Sequence, residues 1–272
     1  MDTADNRLRA KLESLLRLAE DPQATPEERD LAMQRVLQIA EKYQVDASNL
    51  DPRSGQYKRE EIVTHVFQIP STYGLTSTRG HGLYDVLRAM GGNGYARVPA
   101  GQKRGEELVA YAPESTMNVL KVLLPSLLLQ EANASAAYIK YLKETHSGLK
   151  SLQKVISQMR AQKADPRDFT RHYNSEIRYR RKSFCLAFFV EAAEKIRVTR
   201  KDAVQQAGKG YALVLVDVAD RIAAMLAEIS GLREQEARGR WSQEGWESGT
   251  AAGRQAMVGQ TEVHGGRPAL EQ

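Results

Sequence analysis

The chain has 272 residues, 42% hydrophobic and 27% charged, which is ordinary globular usage and excludes wholesale disorder. Its single cysteine, Cys185, excludes an internal disulfide and fits a reducing, cytoplasmic setting. The formal charge of +5 is uneven: Ala136 to Gly210 hold 17 Lys and Arg against 7 Asp and Glu, a basic middle in an acidic frame that points to a polyanionic partner.

No membrane association is expected. The longest apolar stretch, Val119 to Leu129, is broken by Lys121 and Pro125 and is too short to span a bilayer. Arg7, Arg9, Lys11 and Glu13 interrupt any apolar run near Met1, so no signal peptide is expected either.

Leu8, Leu12, Leu15, Leu16 and Ala19 fall at helical spacing, and Asp21-Pro22 stops that helix. Thr25, Pro26 and Glu28 form the start of a second helix: a cap, a proline at the first position and a capping-box acid. Ala32, Val36, Ile39, Ala40 and Tyr43 make its stripe, and together the two predict a helical hairpin over residues 1–50. Residues 51–60 read as a linker.

Ile62 to Ile69 is β-branched and predicts a strand. A helix is predicted from His81 to Met90, ended by Gly91-Gly92. Gly94–Val98 and Glu107–Tyr111 then predict a hairpin, with Lys103 and Arg104 in its loop. Pro113 and Glu114 open a long helix to about Lys143, buried through Leu120, Leu123, Leu124, Leu127 and Leu128, which Pro125 should bend or end locally. Leu149 to Gln206 reads as basic helix anchored by Phe184 to Ile196. Tyr211 to Val216 predicts a short strand, and Val218 to Ile229 a helix. The fold class is thus α+β and predominantly helical: the hairpin, a core over 61–230 with a small, largely antiparallel sheet, and a charged, Gly-rich segment over 231–272.

The run Leu15-Leu16-Arg17-Leu18-Ala19-Glu20-Asp21-Pro22, with Ala24-Thr25-Pro26-Glu27-Glu28 and Lys42-Tyr43-Gln44-Val45-Asp46, resembles the DUF2786 family of bacteria and their phages. The resemblance covers about the first fifty residues. A weaker one, to the uncharacterised domain that often follows, rests on Leu108–Pro113, Arg180–Phe184, Tyr211–Leu215 and Gly249–Ala256. It implies a phage or mobile-element setting and transfers no catalytic residue.

The residues themselves show no catalytic constellation. His65, His81, His146, His172 and His264 have no metal-ligand spacing, and there is no Cys-x-x-Cys, P-loop or Gly-x-Ser-x-Gly. Cys185, inside an apolar helix, reads as a buried, inert thiol. Gly249 to Arg254 reads as close helix packing rather than an anion loop, and Trp241 and Trp246 as anchors of the tail. No metal and no cofactor are expected.

The basic constellation is the lead. Arg167, Arg171, Arg178, Arg180, Arg181 and Lys182 are interleaved with His172, Tyr173 and Tyr179. Guanidinium groups fork onto phosphates and tyrosines stack on bases. Arg167, Arg171 and Arg178 share a helical face, as do Asn174, Arg178 and Arg181; Lys103, Arg104, Lys150, Lys154, Arg160 and Lys163 would extend the footprint. The competing reading is a solvated face paired with Asp165, Asp168 and Glu176. The expectation is a non-enzymatic protein that binds DNA or RNA through backbone phosphate. The alternatives are a module that binds and modulates a host protein, and an enzyme whose site is assembled across the core.

Overall fold

The computed structural model describes residues 60–70, 75–98, 106–207, 209–229 and 241–258, with single positions between Ser14 and Arg35; the side chains of 202–214 fall outside it. Three strands, β1 (Ile62–Ile69), β2 (Asn93–Arg97) and β3 (Glu106–Pro113), form an antiparallel sheet in the order β1-β3-β2. Helix α1 (Thr76–Ala89) connects β1 to β2. Helices α2 (Glu114–Thr145), α3 (Ser147–Ala161), α4 (Arg167–Ala207), α5 (Lys209–Ala227) and α6 (Gln243–Arg254) follow. The chain is a predominantly helical α+β protein, as its sequence pattern predicts.

The predicted hairpin is present, with Tyr95 opposite Val109 and Arg97 opposite Glu107. The central strand, β3, is paired along both edges; Leu108, Ala110 and Ala112 share the face that joins the hydrophobic core, and Val109, on the opposite face, is buried as well. On β1 only Phe67 and Ile69 are fully buried, two residues apart on one face. β3 runs directly into α2, whose first amides are met by the Glu61 carbonyl, at 3.1 Å from Glu114 N, and by the Glu60 carboxylate at Ser115 N.

Helix α2 buries Leu120, Leu123, Leu124 and Leu127 as predicted, while Leu128 is only half-buried, and it continues past Pro125 to Thr145. His146 separates it from α3 and accepts the Leu149 amide at 3.3 Å. α1 begins at Thr76 rather than His81 and ends as predicted. Gly91 has φ of 81°, and the amides of Gly91 and Gly92 reach back to the Arg88 and Leu87 carbonyls at 3.0 Å each, a Schellman closure that a side chain at Gly91 would strain.

The predicted strand at Tyr211–Val216 is instead part of α5. A short run of Leu and Val has no period of its own, and here it continues into the helical Val218–Ala227 pattern.

Helix α4 is the centre of the packing. Its segment Phe184–Ile196 buries Phe184, Cys185, Phe188, Phe189, Ala192, Ala193 and Ile196. Phe184 stacks on Tyr138 of α2 with ring centroids 5.0 Å apart. On one side, a Cβ added at Gly82 of α1 would lie 2.5 Å from the Phe189 side chain. On another, Gly245, Gly249 and Gly253 of α6 press on the α4 backbone: added Cβ atoms would meet the carbonyl oxygens of Arg180, Phe184 and Phe188 at 2.6, 2.3 and 2.6 Å. Four-residue spacing puts the three glycines on one face. The predicted close helix packing at Gly249–Arg254 is therefore observed, and Gly245 extends it. Both ends of α6 are pinned: Ser242 N donates to Ser183 Oγ at 2.7 Å, and Lys195 Nζ donates to the Arg254 and Ala256 carbonyls at 2.6 and 3.0 Å.

The Arg79–Glu131 ion pair lies inside this core. Arg79 of α1 meets Glu131 of α2 at 2.7 Å, with side chains 4% and 0% exposed, and Arg79 also donates to the Pro70 carbonyl at 3.3 Å. Burial pushes the Glu131 carboxyl above the ordinary range, against the pull of Arg79 and Arg181.

In the first fifty residues, Ser14, Leu15, Leu18, Glu28, Leu31, Ala32 and Arg35 are helical. The capping box is formed: Glu28 N donates to Thr25 Oγ1 at 3.2 Å and Thr25 N to Glu28 Oε2 at 2.9 Å. Ala32 is buried in the core and Leu15 packs on it. The rest of the predicted hairpin, and all of the predicted linker but Glu60, lie outside the described residues.

Two outcomes follow for stability. Gly249→Ala should cost about 3 kcal/mol, the upper end for overpacking, because carbonyl backbone cannot yield as a side chain does. Hydrogen exchange should show α6 amides losing protection before those of β3. Glu131→Ala should cost about 3–5 kcal/mol in urea unfolding, because it strands a buried guanidinium. Arg79→Met with Glu131→Leu should recover most of that loss; a double variant as unstable as the single one would show that the pair does more than neutralise itself.

Candidate nucleic-acid interface

The predicted basic residues do not stay together. They divide where α4 passes from solvent into the core. At its exposed start, Arg167, Arg171, Asn174 and Arg178 fall at intervals of four, three and four, which is one helical face. Asp165 Oδ1 accepts the Arg167 amide at 3.0 Å and so caps the helix. The preceding turn brings in the end of α3. Lys163 takes a φ of 56°, and the amides of Lys163 and Ala164 return to the Arg160 and Met159 carbonyls at 3.1 and 2.8 Å. Arg160 thereby faces the start of α4.

The result is an open groove of about 760 Å³. Arg160, Arg167, Arg171 and Arg178 line it, with Asn174, Thr170 and Ser175 as neutral polar groups and no acidic side chain among the lining residues. Arg167 to Arg178 spans about 16 Å of helix axis, roughly five base-pair steps of a duplex. The Arg167 and Arg171 side chains are 85% and 80% exposed. Their acidic partners, Asp165 and Asp168 at 3.2 Å each, are exposed as well. Such surface pairs contribute little, about 0–1 kcal/mol, and an incoming phosphate displaces them readily.

The later residues belong to the fold. The Arg180 side chain is 14% exposed and meets Glu176 on its own helix, Glu244 of α6 at 3.5 Å and His146 Nε2 at 3.0 Å. Arg181 is 9% exposed and acts electrostatically on Glu131. Asn174 and Arg178 thus share the groove, and Arg181, predicted on the same face, does not. Lys182 Nζ lies 4.9 Å from the Trp241 ring centroid, and Trp241 meets Trp246 of α6 edge-on at 6.3 Å, so the tryptophans anchor the start of α6 beside α4, as expected. Tyr179 is half-buried and Tyr173 packs on the core, so neither ring is presented whole to a base. Lys150, Lys154 and Lys163 are exposed outside the groove lining, and Lys103 and Arg104 lie outside the described residues.

Thr170 and Ser175 escape sequence reasoning, since short hydroxyl residues on a helix carry no mark of the groove they line. The signal that separates the arginines is present in the sequence all the same. Arg180 and Arg181 lie only four and three residues before Phe184, where the apolar stretch begins.

Cys185 is fully buried, and burial together with the Glu131 carboxylate pushes its thiol well above the ordinary range. Among the described residues no group of three or more His, Cys, Asp or Glu is placed to hold a metal ion, and no helix is long and apolar enough to cross a membrane. No family model matches the chain, and no curated protein or solved structure matches it.

Arg180→Ala should lower stability, because it removes one group that joins α4 to α6 and to the α2–α3 junction. Thermal unfolding should separate it from Arg171→Ala, which should leave the midpoint unchanged.

Proposed function

We propose that this chain is a non-enzymatic nucleic-acid-binding protein that holds backbone phosphate in the groove between α3 and α4. The observation that carries the reading is the convergence of Arg160, Arg167, Arg171 and Arg178 on one open groove that no carboxylate lines. Guanidinium forks match phosphate oxygens bidentately, and the exposed Asn174 and Ser175 supply neutral hydrogen bonds beside them. Binding by phosphate contact positions a nucleic acid without reading its sequence. The phage or mobile-element setting rests on the resemblance of the first fifty residues alone.

Fluorescence anisotropy with labelled duplex DNA, single-stranded DNA and RNA tests the reading. Four phosphate contacts predict a loss of affinity of roughly 10²-fold between 50 and 200 mM salt. Arg167→Ala, Arg171→Ala and Arg178→Ala should each reduce the salt slope by about one and, combined, abolish binding while the protein stays folded. A folded protein that binds none of the three polymers at about 50 mM salt would overturn the proposal and redirect the groove to an acidic protein surface.

A further inference from the structure

The far half of α4 carries a second cationic cluster, assembled from three helices and a turn. Arg88 at the end of α1 and Arg197, Arg200 and Lys201 of α4 line a recess of about 390 Å³ beside Gly91 and Gly92. Leu215, Ala219 and Ile222 of α5 form an apolar wall of the same recess. Its volume falls within the range of small-molecule sites, and a cationic rim against an apolar wall fits an amphipathic anion.

The four cations are not equally committed. Arg200 Nη1 donates to the Ala89 carbonyl at 3.0 Å, and its guanidinium occupies the space over Gly91, where an added Cβ would lie 2.5 Å away. Arg200 is therefore part of the wall that closes α1. Arg197 pairs at 3.1 Å with Glu194 on its own helix, an exposed pair of little strength. Arg88 lies 6.0 Å from the Tyr84 ring centroid. Asp85 is the acidic neighbour, with burial raising its carboxyl and Arg197 and Arg88 drawing it down; neither Asp85 nor Glu194 lines the recess. The Gly91 and Gly92 amides are occupied in closing α1, so recognition there falls to side chains.

We propose that this recess binds a small phosphorylated molecule. Its phosphoryl group sits among Arg88, Arg197 and Lys201, and its apolar or aromatic body lies against Leu215, Ala219 and Ile222. The site is independent of the α3–α4 groove, since Arg171 and Arg200 are about 43 Å apart along the helix axis.

Calorimetric titration of the full chain with adenosine monophosphate and phenyl phosphate tests it, with adenosine and inorganic phosphate as controls. Both esters should bind with sub-millimolar Kd, adenosine should not bind, and inorganic phosphate should bind about tenfold more weakly. Arg197→Ala and Lys201→Ala, at exposed positions, should each weaken ester binding about tenfold without changing the unfolding midpoint. Arg171→Ala, in the groove, should leave ester binding unchanged. The proposal is overturned if neither ester binds at about 1 mM, if both variants bind as the native chain does, if Arg171→Ala abolishes binding, or if inorganic phosphate binds as tightly as the esters.

Discussion

The close approach of α6 to the backbone of α4 organises this molecule. Three glycines at four-residue spacing let two helices meet main chain to main chain, with the carbonyls of Arg180, Phe184 and Phe188 taking the places that side chains would fill. Gly82 makes a similar approach from α1, against Phe189. A helix gripped from two sides is buried where it is gripped, and between Phe184 and Ile196 α4 buries Phe184, Cys185, Phe188, Phe189, Ala192, Ala193 and Ile196, with Glu191 and Lys195 engaged in contacts to the end of α6. Beyond that stretch its ends are free to carry charge, and both do. The groove at its start and the recess toward its other end are two consequences of one arrangement: a helix of 41 residues held by its middle.

The same arrangement sorts the arginines. A guanidinium group is useful to a fold only where it meets carbonyls and carboxylates in fixed places, and useful to a ligand only where its present partners are exchangeable. Arg79 and Arg180 satisfy the first condition, each with more than one partner. Arg167 and Arg171 satisfy the second, paired with acids as exposed as themselves. Composition cannot separate these classes, because both contribute equally to net charge. The excess of basic residues between Ala136 and Gly210 is partly internal, and the part that faces solvent is smaller and more local than the sum implies.

Legibility in the sequence follows the range of the interaction concerned. The hairpin of β2 and β3, the long helix after Pro113, the Thr25–Glu28 capping box and the glycine end of α1 depend on neighbours a few residues away, and all are readable. The start of α1 was harder, because Thr76–Gly80 carries no strong helix signal. Tyr211–Val216 read as a strand because β-branched and aromatic residues fill it, and only continuity with the next dozen residues shows the helical period. The arginine face of α4 was legible as far as Arg178. It failed at Arg181, since a helical face says nothing of what covers it. Arg88 meets Arg197 and Lys201 only after folding, across more than a hundred residues, and no local pattern announces that.

The position of α6 near residue 250 also bears on how the protein is made. The α4 surface that it covers is synthesised about sixty residues earlier. At ribosomal rates of about 5–20 residues per second, Phe184 and Phe188 wait roughly 3–12 s for their cover. During that interval the α4 backbone face at Arg180, Phe184 and Phe188 lacks the glycine face that covers it in the folded protein, while the Phe184 ring already has Tyr138 of α2 to stack on. Synthesis thus leaves a brief period in which this face of α4 is made but its native cover is not.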